Sequence, residues 1–326
     1  MYFKKILLSI LSFYTLNLTA QCCSGGVPLS NNLGLSQEDK GTIQIGLNYD
    51  YNNLNTLNAG RIKLNEKFRL RTTHSILLNA SYALTNNFSA EGLFTWVNQR
   101  RIITSQFDGS KNTEASSGIG DAILLLKYRF PNVFSKNSDL TLGFGTKMPL
   151  GSSTEVDSGG ILLINDLQPG SNAWDFIYWL STSKRFNFRP SLNTSIRFTY
   201  RNTGTDNDYL GNSTYKYGNE FQGFLSFSDQ FNILKTLANP SLSFKYRDTQ
   251  RDQTGGGEVD NTGGNWVFII PNFSINITPN LAFSTKAELP LYSNVDGTQL
   301  TPTYRITTGF LFKIKPKSNV NVLNLN

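Results

Sequence analysis

Histidine occurs once in the 326 residues, at His74, and cysteine twice, at the adjacent positions Cys22 and Cys23. One imidazole gives no His-rich metal set, and two neighbouring thiols have no distant partner with which to staple a fold. Long apolar runs are missing after the first twenty residues. A helical membrane span, which needs about 20 consecutive apolar residues, is therefore excluded there. Charge is sparse at 16% and dispersed along the chain. The formal charge of +7 becomes +5 when Lys4 and Lys5 are set aside with the leader. Scattered Lys and Arg make no nucleic-acid face, and a mild basic excess suits contact with lipid phosphate.

What the chain has instead is alternation. From Ser191 to Arg201, Leu192, Thr194, Ile196, Phe198 and Tyr200 fall on one face, and Ser191, Asn193, Ser195, Arg197, Thr199 and Arg201 on the other. Stretches of this kind are legible near 41–52, 66–84, 88–104, 117–130, 139–150, 173–185, 190–202, 214–228, 238–250, 264–277, 281–292 and 301–314. Tight links (Thr85-Asn86-Asn87, Asn187-Phe188-Arg189, Thr278-Pro279-Asn280) alternate with long ones (105–116, 151–172, 202–213, 251–263) rich in Gly, Asn, Asp, Ser and Thr. The pattern predicts an all-β fold, a single transmembrane antiparallel up-and-down β-barrel of about twelve strands over 41–314. Each strand needs only about 9 to 11 residues to cross, with every second one on lipid. A mean hydropathy of −0.28 is compatible with that. The aromatic content of 13% supplies lipid-facing surface and interfacial girdles. A secreted β-sandwich uses similar short strands but has no reason to alternate short and long links.

The chain starts with Lys4 and Lys5, the apolar run 6–14 and Leu18-Thr19-Ala20, a signal-peptide pattern with cleavage after Ala20. Lipidation at Cys22 needs a small residue before it, and Gln21 stands there. Two thiolates alone make an incomplete metal site. Residues 21–40 read as a periplasmic lead-in or small plug, without a recognisable energy-coupling box, and 315–326 as a periplasmic tail. An even strand count places both termini in the periplasm of a Gram-negative cell. Phe310 and Phe312 are followed by that polar tail, so Gly309-Phe310-Leu311-Phe312 is the expected signal for the barrel assembly machinery.

Alternation also assigns the lumen. Counting from the apolar face turns Asp121, Lys127, Arg129, Lys147, Asp175, Arg197, Arg201, Lys245, Arg247, Lys286, Glu288 and Arg305 inward, with Glu91 and Lys313. A Lys or Arg facing mid-bilayer hydrocarbon costs roughly 2–4 kcal/mol, which supports this orientation of every strand. The lumen is then cationic on balance, which suits a pore favouring anions or carboxylated aromatics; charges paired across a narrow barrel would instead fill it. Lys147 with Pro149, and Glu288 with Pro290, are expected to close the fifth and eleventh strands at the outer rim. The run Ile161, Leu162, Leu163, Ile164 in a long loop is a candidate constriction if it folds inward.

Enzymatic chemistry has little support. His74 is flanked by Thr73 and Ser75, which point to the opposite face, so the serine-histidine pair of a membrane-embedded lipid hydrolase is missing. Gly118-Ile119-Gly120-Asp121 lacks the Lys-Ser/Thr and the helix of a phosphate loop. No cofactor is implied.

Two stretches, Gly118 to Ala122 running into Leu126-Lys127-Tyr128-Arg129, and Gly143 to Gly151, resemble the outer-membrane family labelled for the MetA pathway of phenol degradation. Leu167-Gln168-Pro169-Gly170 with Ala173-Trp174-Asp175, and Leu289 to Leu300, match it too, and Cys22-Cys23-Ser24-Gly25-Gly26 is similar to its Bacteroidetes-type members, often called transporter family proteins. The resemblance implies a barrel that takes up small hydrophobic or aromatic compounds and carries over no catalytic residue. The expected function is a passive outer-membrane channel for such solutes, with lipid, the solute and the assembly machinery as partners. The alternatives are a structural or adhesive barrel with a filled lumen and, second, the lipid hydrolase. The oligomeric state is not legible.

Overall fold

The computed structural model describes residues 33–233 and 236–316. The leader, Cys22 and Cys23, most of the lead-in and most of the tail lie outside the described residues. Nearly all of the regular structure among the described residues is β, in a closed antiparallel barrel of twelve strands. In order these are β1 Ile43–Ala59, β2 Arg69–Ala83, β3 Phe88–Thr104, β4 in two pieces Lys111–Ile119 and Ala122–Pro131, β5 Ser138–Met148, β6 Asp175–Phe186, β7 Arg189–Asn202, β8 Glu220–Ser228, β9 Thr236–Thr249, β10 Gly264–Thr278, β11 Leu281–Val295 and β12 Thr298–Ile314. Each strand pairs with its chain neighbours. β1 closes the ring on β12, from Ile43 opposite Ile314 to Ala59 opposite Thr298. Closure leaves no edge, which is what lets a sheet satisfy its backbone in lipid.

The period of two drives the packing. Along β1, Ile43, Ile45, Leu47 and Tyr49 are exposed outward, while Gln44, Asp50 and Asn52 are buried in the lumen. Outward Leu124, Leu126, Tyr128 and Phe130 alternate with inward Ile123, Leu125, Lys127 and Arg129 on β4, and outward Ile306, Phe310, Phe312 and Ile314 with inward Arg305 and Lys313 on β12. In a soluble protein so many exposed apolar side chains would be a liability; here they face the bilayer.

Strand ends depart from the sequence expectation at the long-loop end. Chains of 17 residues in β1, β3 and β12 run well past what a membrane requires. β4 starts at Lys111 and breaks at Gly120-Asp121. β11 and β12 meet in a tight turn at Asp296-Gly297, with Gly297 at φ +73°. Contrary to the expectation from the sequence, Glu288 and Pro290 therefore do not close β11, which runs on to Val295. Pro290 sits opposite Phe268 beside a register shift at Val267/Phe268, and the ladder to β12 stops at Glu288/Arg305, so the missing N–H goes unused.

Residues 214–216 likewise do not extend β8. They join an external four-stranded sheet, Thr205–Tyr209, Ser213–Lys216, Gln253–Thr254 and Gly257–Glu258. The chain leaves the wall at Gly218, whose N–H donates to Asp252 Oδ1 at 2.7 Å. Tyr215 donates to the other oxygen of Asp252 at 2.6 Å and packs against Tyr209 and Tyr217. Burial, reinforced by nearby carboxylates, pushes the hydroxyls of Tyr215 and Tyr217 well above the usual phenol range, so both remain neutral donors.

Candidate functional site: the lumen

Inward charges form two groups. At the long-loop end, one residue per strand makes a ladder of alternating sign across six consecutive strands: Asp121, Lys147, Asp175, Arg201, Glu220 and Arg247. Lys147 Nζ lies 2.9 Å from Asp121 and 3.2 Å from Asp175, and Arg201 lies 3.8 Å from Asp175 and 3.9 Å from Glu220. Arg247 reaches Glu220 at 2.6 Å. Register builds the ladder, because Lys147 stands directly opposite Asp175 and Arg201 directly opposite Glu220.

Deeper in the barrel, Lys127 pairs with Glu91 at 2.6 Å, Lys245 with Glu288 at 2.6 Å and Arg305 with Asp50 at 3.3 Å. Arg129 pairs with Asp139 at 2.9 Å nearer the short-turn end. Several cations also lie over aromatic faces: Arg197 over Phe224 at 4.0 Å, Lys245 over Phe268 at 4.2 Å and Arg247 over Trp266 at 5.0 Å. These contacts favour a cation where water is scarce.

The structure places all twelve sequence-derived lumen residues on the inner face. Lys286 is among them, lining the same space as Arg197 and Arg305.

The 149–174 connection folds into the long-loop end. Of its apolar run, Ile161 is 70% exposed whereas Leu163 is 3% exposed, and the residues that hydrogen-bond to the inner wall are among the next ones, 165–171. Arg71 and Ser116 donate to the carbonyls of Asp166 and Leu167, and Gln99 to that of Gln168 at 3.2 Å. Asp121 accepts from the Ser171 N–H at 3.1 Å, its hydroxyl at 2.6 Å and the Gly151 N–H at 3.3 Å. Gly151 and Gly170 touch: a Cβ on Gly151 would lie 2.7 Å from the Gly170 Cα. Only glycine fits such a backbone crossing. From outside, Tyr217 donates to the Asn165 carbonyl at 2.9 Å, bracing the loop.

The stretches 118–122, 143–151 and 167–175 thus meet at one place. Pro169 packs on Gly118, Gly151 on Gly170, Asp121 on Ser171 and Lys147 on Asp175.

From the other end, residues 33–37 thread into the lumen. Glu91 accepts from the Gly34 N–H at 3.0 Å and the Leu35 N–H at 3.0 Å, Lys127 donates to the Leu35 carbonyl at 2.5 Å, and Arg197 Nη1 to the Leu33 carbonyl at 2.9 Å. Leu33 is buried with Leu77, Leu93, Ile123, Leu125, Ile177 and Trp179, an apolar patch on the inner wall. Gly34 has φ +97°, and a Cβ there would lie 2.8 Å from the Trp179 ring.

Between this segment and the short-turn end lies a cavity of about 820 Å³. Eight wall serines on β6 to β11, among them Ser181, Ser195, Ser226, Ser243 and Ser274, face it, as do six Lys or Arg against only Asp139 and Glu288.

Several lumen residues escaped the sequence reading. Glu220, Asp50 and Arg71 lie on inward parity within the stretches 214–228, 41–52 and 66–84, but nothing local in the sequence singles them out. The signal for the inserted segments was Leu33 and Leu35 among polar residues, and Gly151 and Gly170 flanking a loop. His74 sits on the outer face, its Nδ1 2.6 Å from the Tyr49 hydroxyl, with Tyr51 packed alongside, while Ser75 points into the lumen. That is an interfacial aromatic cluster and not a serine-histidine pair.

No protein-family model matches the chain, and no curated protein matches it in sequence. Solved structures do share its fold. A crystallised outer membrane channel of Pseudomonas putida F1 superposes with a TM-score of 0.66 at 13% identity, covering 86% of this chain and 97% of that one. The NanC porin gives 0.48 at 12% identity over 83% and 100%, and the CymD monoaromatic hydrocarbon channel 0.38 at 9% over 86% and 90%. The chain has the barrel fold of outer-membrane channels.

Proposed function

We propose that this protein is a channel for passive uptake of small hydrophobic or aromatic solutes across an outer membrane, through a lumen lined by basic and aromatic side chains. The observation that carries the reading is the closed barrel enclosing a polar cavity whose wall presents Lys127 over Trp179 and Arg197 over Phe224. A solute with an aromatic body finds both apolar surface and polar groups that fix its orientation there. The 165–171 loop narrows one end and residues 33–37 the other, so passage requires one or both to shift, a gated pore rather than a wide one. The short turns and both termini face the periplasm in this reading, and the MetA-like label describes its solute class.

The test is single-channel recording of the refolded, leader-free chain in planar bilayers, with liposome uptake of phenol compared with a sugar of similar mass. Discrete conductance and faster phenol uptake are expected. Silence from a folded, heat-modifiable barrel, with no uptake, would overturn the reading. It would favour the second one, a filled structural barrel, which the ion-paired ladder and inserted loop at the long-loop end support.

A further inference from the structure

Arg197 differs from the other cations of the deep lumen. Lys127, Lys245 and Arg305 each have a carboxylate within salt-bridge reach, whereas Arg197 has none among the described residues. Its guanidinium lies over Phe224, 4.0 Å from the ring centre, and Nη1 is held by the Leu33 carbonyl. That leaves the Nε edge, which meets a carboxylate side-on with two parallel hydrogen bonds. Arg197 Nε is buried and has no acceptor among the described residues. Trp179 Nε1 is a second buried donor without one. The two side chains are neighbours, since the Trp179 ring and Arg197 Nη1 both lie against Gly34, and both line the cavity. Buried donors are normally satisfied, so two of them beside one cavity with a surplus of positive charge mark a place for an acceptor bearing negative charge.

We propose that this cavity is a binding site for organic monocarboxylates with an apolar body. The carboxylate takes the Nε edge of Arg197 and the indole N–H of Trp179, and the body lies against Phe224 and Ile270. The site narrows the solute class of the channel reading to amphiphilic anions, and it rests on that reading only for how the ligand arrives.

Benzoate is the probe, compared with neutral benzyl alcohol and with acetate, in calorimetric titration of the detergent-folded protein. Benzoate is expected to bind at least about tenfold more tightly than either, the alcohol lacking the charge and acetate the body. Arg197→Gln should reduce benzoate to the level of benzyl alcohol, Arg197→Lys should restore part of the difference, and Arg61→Gln, on the outer β1–β2 turn, should change nothing. Equal affinity for benzoate and benzyl alcohol, or a preference that survives Arg197→Gln, would sink the proposal. If Arg197→Gln does not fold, the ranking in the unaltered protein and the loss of benzoate over acetate in Phe224→Leu still decide. Because binding is read in detergent and uptake in liposomes, a failure here with conductance intact removes the site and leaves the channel, and the reverse removes the channel alone.

Discussion

The two ends of the lumen are built from the same strands and solve the same problem differently. Toward the long loops, charges of opposite sign alternate strand by strand, each within 4 Å of a partner, and a loop hydrogen-bonded through its backbone carbonyls occupies what remains. Toward the short turns the wall carries eight serines, cations outnumber acids, and space is left open. Twelve strands alone therefore do not set whether such a barrel is filled; the length and pairing of the inward side chains do.

The largest effect is expected from breaking the balanced end. Lys147→Met leaves Asp121 and Asp175 as neighbouring buried carboxylates without their shared cation. Removal of one partner from a buried ion pair costs about 3–5 kcal/mol, so the urea midpoint of the folded barrel should drop sharply, and an unchanged midpoint would show that the ladder contributes nothing.

A smaller change sharpens the contrast from the other end. Glu91→Gln weakens the acceptor that holds Gly34 and Leu35 and removes the partner of Lys127. Charged hydrogen bonds contribute about 1.5–3 kcal/mol each. Losing one raises the withdrawn population of the segment by about ten- to a hundred-fold. Thiol labelling of Leu35→Cys in the two backgrounds measures it, and equal rates would mean that Glu91 does not hold the segment.

The smallest effect lies outside the lumen. The Ser105 hydroxyl, then the N–H and hydroxyl of Ser110, hold the Asp108 carboxyl at about 2. A carboxyl with a folded value below its free one, about 3.9, stabilises its turn at higher pH and loses that contribution as pH falls through about 2. Residues 105–110 should therefore keep their amide chemical shifts down to near pH 3 and change below it; a transition near pH 4 would contradict the assignment.

Much of this was legible in the sequence, for a physical reason. Lipid forces every second residue to be apolar, so orientation could be read strand by strand, and inward residues such as Lys127, Arg197 and Lys245 followed by counting. Ends at the long-loop side were not legible, because past the bilayer no solvent boundary enforces alternation: β1 runs seven residues beyond 52, to Ala59. Pairing was not legible either. Nothing local in Lys147 says that Asp175, across a long loop, stands opposite it, and nothing in the polar run around Leu33 says that it enters a barrel. The apolar run 161–164 drew attention by hydropathy, yet the neighbouring 165–171 makes the bonds to the wall, since a lumen rich in donors such as Arg71 and Gln99 recruits carbonyl oxygens more readily than methyl groups.

The strict inside-outside parity of β4, β7 and β12 has one more consequence. Two messages are interleaved in a single string of residues, one read by the lipid and the other by the cargo, and they share no letters. Substitution of an inward serine by a longer side chain would change bore and selectivity without altering how the protein sits in its membrane, so a lineage can exchange cargo while keeping its address.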